Sequence, residues 1–140
     1  MGTQQQHSPF YWFRYVYDSF TLFDSINAEN QFLHYLNSCQ ANIKFTVESE
    51  ENSTISFLDI LIKRNNHAFS TSIFRKKTFT GLYTKWDSFT PRKYKINLIR
   101  TLTYRCFRIC SSASLLQSAL DDPKKLLSRN GYPLVLLITI

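Results

Sequence analysis

Glycine and proline are scarce in this chain of 140 residues, at three and four. Their scarcity excludes collagen-like and low-complexity material, and leaves no glycine-rich loop to cradle a phosphate. Cysteine is equally rare. Cys39, Cys106 and Cys110 are an odd number and give no disulfide framework. That points to a reducing, intracellular setting, nuclear or cytoplasmic. No apolar run approaches the roughly 18–20 residues that a membrane helix needs, so no membrane partner is expected. The opening Met1-Gly2-Thr3-Gln4-Gln5-Gln6 lacks the basic end and apolar stretch of a signal peptide. His7, His34 and His67 lie far apart, and Cys106 and Cys110 have no neighbour that completes a zinc set. The expected metal site is therefore none, and the cysteines read as buried.

Aromatic residues and charge are what the chain has in quantity. Hydrophobic residues make up 44% and charged residues 19%, which excludes intrinsic disorder. The net charge of +7 is unevenly spread. Residues 1–62 carry two basic residues against seven acidic ones, a balance of −5, and residues 63–140 carry fifteen against three, a balance of +12. Such asymmetry suggests a second half that faces a polyanion, with a solvated basic surface as the alternative. Nucleic acid is the expected partner, and no small-molecule substrate is expected.

Residues 1–8 read as a polar leader. Residues 10–16 and 19–23 are β-prone and aromatic, and the spacing predicts a hairpin turning at Tyr17-Asp18. Asn27 is the expected cap of an amphipathic helix over 28–37, with Phe32, Leu33, Tyr35 and Leu36 at helical spacing. Three more strands are expected, over 43–48, 55–62 and 68–75. The alternation in 43–48 suits a half-buried strand, and the apolar run 55–62 suits a central one covered on both faces. Glu50-Glu51-Asn52-Ser53 and Asn65-Asn66-His67 supply the turns, with Glu48, Glu50 and Glu51 solvated.

After Arg75 the chain turns basic. Thr90-Pro91 predicts a helix start, a capping hydroxyl followed by Pro in the first turn. Leu98, Leu102, Cys106 and Ile109 step along one face. Ser112 or Ser114 caps a second helix carrying Leu115, Leu116 and Leu120. Asp122-Pro123 restarts a short third with Leu126 and Leu127, and Asn130-Gly131 ends it. The expected class is α+β, a small antiparallel sheet (9–76) with one packed helix, a linker (77–90), then a basic helical unit (91–133). Residues 134–140 form an uncharged, β-prone tail that fits none of this and is an aggregation hazard where exposed.

Tyr15-Val16-Tyr17-Asp18-Ser19-Phe20 looks like the Y-x-D-D hairpin of reverse transcriptases. Trp12-Phe13-Arg14-Tyr15-Val16, Asn42-Ile43-Lys44-Phe45-Thr46, Phe57-Leu58-Asp59-Ile60-Leu61 and Ser70-Thr71-Ser72-Ile73-Phe74 occur in that order. Thr80-Gly81-Leu82-Tyr83, Ser88-Phe89-Thr90-Pro91-Arg92-Lys93-Tyr94-Lys95, Tyr104-Arg105-Cys106-Phe107-Arg108-Ile109-Cys110-Ser111 and Asn130-Gly131-Tyr132-Pro133 follow. Over residues 9–133 these segments together resemble the reverse transcriptases of Penelope-like retroelements. The resemblance implies the last part of a polymerase palm, followed by a region that in animal members resembles a helix-turn-helix. It also implies RNA-directed DNA polymerase chemistry, in which magnesium ions hold the attacking and leaving oxygens. In the family the first Asp of the hairpin pair is the principal ligand. Here that position is Tyr17, a neutral phenol at pH 7. Asp18 matches the second Asp and is at most a vestigial catalytic residue, with a turn-forming Asp as the plain alternative. The family's earlier palm carboxylate and fingers lie upstream of the hairpin. The expectation is a truncated remnant that does not polymerise on its own and needs no cofactor, magnesium being required only by an intact relative. The alternatives are one part of an active polymerase, or an orphan interaction domain.

Lys76, Lys77, Arg92, Lys93, Lys95, Arg100, Arg105 and Arg108 are the expected nucleic-acid contacts, because Lys and Arg neutralise phosphates and release counterions. Tyr83, Trp86, Phe89 and Tyr94 are interleaved with them, to stack on bases or to form helical core. Asp59 shares a strand face with Phe57 and Leu61 in this reading, and pairs with Lys44 or Arg75.

Overall fold

The computed structural model describes residues 8–66 and 68–138; residues 1–7 of the polar leader, His67, Thr139 and Ile140 lie outside these. The fold is α+β, with two small antiparallel sheets in place of a single one. The chain divides into two compact units, one ending at Ser49 and one beginning at Glu50.

In the first unit, β1 (Tyr11–Tyr15) and β2 (Asp18–Leu22) pair antiparallel, Tyr11 opposite Leu22 and Tyr15 opposite Asp18. Successive side chains alternate faces. Trp12 therefore faces away from the stacked Tyr11 and Phe13, and meets the Phe32 ring edge-on at 5.1 Å. Phe32 belongs to α1 (Ile26–Cys39), and Phe23 lies 5.6 Å from the same ring. The turn falls at Val16 and Tyr17, one residue earlier than expected, because Asp18 closes the ladder against Tyr15. Ser25, not Asn27, caps α1. It has the extended backbone a cap requires, and its hydroxyl accepts from the Ala28 amide. Residues 43–48 form no strand. The Asn37 side chain takes both backbone groups of Phe45, accepting from its N–H at 2.7 Å and donating to its carbonyl at 3.1 Å, so neither is left for a ladder.

In the second unit, β3 (Thr54–Phe57), β4 (Ile60–Arg64) and β5 (Phe69–Ile73) form an antiparallel meander. The expected single strand over 55–62 is a hairpin. Leu58 and Asp59 both have positive φ, +47° and +64°, the backbone of a tight two-residue turn whose twist suits the strands. Asp59 thus leaves the strand face, and its carbonyl accepts from the Phe74 amide. Glu50 is not simply solvated: it pairs with Arg64, which holds its carboxyl below the usual carboxylate range.

The helices are α2 (Arg92–Ile109), α3 (Ala113–Arg129) and α4 (Leu134–Leu137). Their core is Ile99, Leu102, Leu127, Tyr132 and Leu137, with Tyr83, Trp86, Ile96, Leu98 and Leu136 packed around it. Thr71 of β5 accepts from the Ser111 amide, and its hydroxyl donates to the Ile109 carbonyl at 2.5 Å. The sheet is therefore fastened to the α2–α3 turn, and both belong to the unit that begins at Glu50. Ser112 caps α3 through the Leu115 amide. Pro123 does not restart a helix but lies inside α3, fully buried. Leu134–Leu137 of the apolar tail are helical rather than extended, and Leu137 is buried.

Candidate nucleic-acid interface

One narrow stripe of α2 is buried: Lys95, Ile99, Leu102 and Cys106, at three- and four-residue steps. Lys95 is a correction to the expected contact set. It is 7% exposed, and its ammonium donates to the Ser88 carbonyl at 2.7 Å and to the Trp86 carbonyl. A buried cation needs acceptors on the spot. Here they come from the loop before the helix, so Lys95 clamps that loop and has no reach to a phosphate.

Other cations stay in solvent. Arg92, Lys93 and Arg108 are exposed, as are Lys76 and Lys77 beyond β5. The first turn of α2 holds no acid, and Pro91 sits at the cap with no side-chain bond, so Thr90 does not cap as expected. Arg92 and Lys93 stand at the positive end of the helix dipole, where acids gain about 0.3–1 kcal/mol and cations lose by the same logic. Phe89, just before them, is fully exposed, and Tyr94 is 55% exposed. Tyr83 and Trp86 pack on the core instead. The four interleaved aromatics thus divide into Tyr83 and Trp86, which hold the fold, Tyr94, whose ring carries the Lys93 ammonium 5.0 Å from its centroid, and Phe89, which is open to a base.

One expected contact, Arg105, is partly engaged. Arg105 donates to the Asp59 carboxylate at 3.1 Å, which corrects the expected pairing of Asp59 with Lys44 or Arg75. Arg75 lies over the Phe79 ring, 4.6 Å from its centroid. Arg100 lines an open groove of about 570 Å³ with Ile96, Thr103, Tyr104, Phe107 and Leu136.

A buried amide that the sequence did not flag sets this loop. Asn130 donates to the carbonyls of Gly81 (2.9 Å) and Leu126 (2.7 Å), and accepts from the Tyr83 amide at 3.1 Å. Its own carbonyl accepts from the Trp86 amide. Gly81 has φ +71°, and a Cβ there would stand 2.6 Å from Leu126 Cδ2. Gly131 has φ +81°, and the amides of Gly131 and Tyr132 return to the Ser128 and Leu127 carbonyls. That is the Schellman ending expected of Asn130-Gly131. The available signal was glycine's rarity: in so glycine-poor a chain, Gly81 has a backbone reason to be there.

Asp18 sits at the start of β2, and Tyr17 beside it is 94% exposed. Among the described residues no three His, Cys, Asp or Glu come together as a metal site. The cysteines differ from one another. Cys106 is buried, Cys110 half-buried and Cys39 exposed, which corrects the reading of all three as buried. Among the described residues no helix is long and apolar enough to cross a membrane.

No curated protein and no solved structure matches the chain. Residues 82–139 match the family model of the animal helix-turn-helix domain. The match takes in the Asn130-pinned loop at one end and the apolar α4 at the other, so it is wider than the 91–133 expected from sequence.

Proposed function

We propose that the helix-turn-helix region binds nucleic acid through Arg92, Lys93 and Arg108, with Lys76 and Lys77 as outer contacts and Phe89 stacking on an exposed base. The observation that carries this reading is the first turn of α2. A sequence chosen for stability alone puts acids there, and this one puts two adjacent cations with an uncovered aromatic ring before them. Phosphates are the ligands such an arrangement suits.

The segment order across residues 9–133 supports the finer reading, a remnant of a Penelope-like reverse transcriptase. Tyr17, where the resemblance implies the first Asp, supports the absence of polymerisation by this chain alone. Asp18 would then be vestigial, and Tyr17 a surface residue of the hairpin tip.

A salt titration tests the binding. Affinity of the full chain for a labelled duplex, and for an RNA–DNA hybrid, should fall linearly in log–log form as salt rises, with a slope of about −0.9 per phosphate neutralised. Affinity that ignores salt overturns the charge reading. For the remnant reading, magnesium-dependent primer extension should yield no product. Extension that is lost on Asp18→Ala would refute it.

A further inference from the structure

Beside its buried stripe, α2 carries a second apolar one. Ile96, Thr103, Tyr104 and Phe107 follow each other along the helix with Arg100 among them, and Leu136 supplies the facing wall. Tyr104 and Phe107 are 64% and 58% exposed, and Ile96, Ile99 and Leu136 line the same groove. Every side chain of α4 is apolar. A helix apolar all round belongs in a covered position, and a contiguous exposed apolar patch marks a place where another molecule sits.

We propose that this groove seats an amphipathic helix of an acidic partner protein, its apolar side on Ile96, Tyr104 and Phe107 and a carboxylate on Arg100. The dimensions suit a helix laid in a groove: from Ile96 to Phe107, α2 rises about 17 Å, or three turns. The sign follows from charge. Among the described residues Arg100 is the one charged residue lining the groove. The unit from Glu50 onward carries fifteen basic residues against six acidic ones, a balance of +9. Two copies of that surface repel each other, so a second copy is the poorer occupant. Nucleic acid is poorer too, since a strand brings a run of phosphates and the lining offers them a single cation on a floor of Ile, Tyr, Phe and Leu. Arg100 lies outside the proposed phosphate contacts, so the inference does not rest on the nucleic-acid reading.

A displayed library of short helices tests it. Leucine is fixed at the a and d heptad positions, and the flanking e and g positions are drawn from Glu, Gln and Lys. The library is sorted on the full chain and on its Phe107→Asp and Arg100→Glu variants. Both side chains point largely to solvent, and unchanged thermal melts confirm that the variants fold. Glu-rich helices should be enriched on the parent chain, with affinity reduced at least about tenfold by Phe107→Asp. On Arg100→Glu the preference should switch from Glu to Lys. No enrichment, enrichment indifferent to both substitutions, or no switch of sign overturns the proposal. So does a dimer in sedimentation that Phe107→Asp breaks, which gives the groove to a second copy. Loss of duplex binding in Phe107→Asp would give it to nucleic acid.

Discussion

The thiol of Cys106 on α2 donates to the carbonyl of Ala119 on α3, 3.3 Å away. In an α-helix that carbonyl would accept from the amide of residue 123. Residue 123 is proline and has no amide proton. Cys106 lies equally close to its own Leu102 carbonyl. Burial, with Cys110 nearby, pushes the Cys106 thiol up, so at neutral pH it remains protonated and able to donate. A neighbouring helix therefore supplies the donor that Pro123 removes, and α3 continues through the proline.

Cys106→Val should destabilise the chain by about 1–3 kcal/mol, the cost of leaving a buried acceptor unsatisfied. In a Pro123→Ala background the same substitution should cost less, because the helix then supplies its own amide. Urea denaturation of the four members of the cycle measures the coupling. Additive effects would show that the thiol and the proline are independent.

Asn130→Asp should lower stability by about 2–4 kcal/mol, because it turns a donor toward two buried carbonyls into an acceptor. The loop from Gly81 to Trp86 should exchange its amide hydrogens faster in this variant. Gly81→Ala should also destabilise, through positive φ and the close approach to Leu126.

Lys95 and Lys93 should separate cleanly. Lys95→Met removes two charge-assisted hydrogen bonds and should cost about 1.5–3 kcal/mol of stability. Lys93→Gln should leave stability within about 0.5 kcal/mol. Its effect should be a duplex-binding salt slope shallower by about one phosphate. The reverse pattern would mean that Lys95 is a contact after all.

Glu50 ionises more readily in the fold than in the unfolded chain, because Arg64 bonds its carboxylate. Its contribution is in full above the ordinary Glu pKa and disappears as pH falls through the lower folded value. The difference in melting temperature between the parent and Glu50→Gln should therefore be constant near neutrality and shrink below about pH 4. A difference that persists at low pH would remove the pair from the account.

Leu58 holds positive φ at the β3–β4 turn, where a branched apolar residue is strained. Leu58→Asn should stabilise by about 1 kcal/mol, most of the left-handed penalty. Thermal unfolding checks the sign.

Much of the local structure was legible in the sequence. Aromatic β-prone runs gave the first hairpin to within one residue, and Asn130-Gly131 gave the helix ending, because both depend on residues a few positions apart. The misreadings share a cause. The run 55–62 is apolar throughout, so its period could not show that Leu58 and Asp59 fold it in two. Residues 43–48 alternate as a strand would, but Asn37 occupies the backbone that would have paired. Pro123 reads as a break unless the thiol across the helix interface is known.

The sequence by itself determined the α+β class, the basic second half and the places of α1 and α2, because composition and period act on the chain locally. Only the tertiary structure decided which charges are free. Lys95 and Lys93 are alike in sequence, two positions apart. One shares the buried stripe of Ile99 and Leu102 and holds the Trp86 loop, and the other is exposed with its ammonium over the Tyr94 ring. That difference arises from which side of α2 meets α3 and the Trp86 loop, a contact between distant parts of the chain that no local pattern encodes.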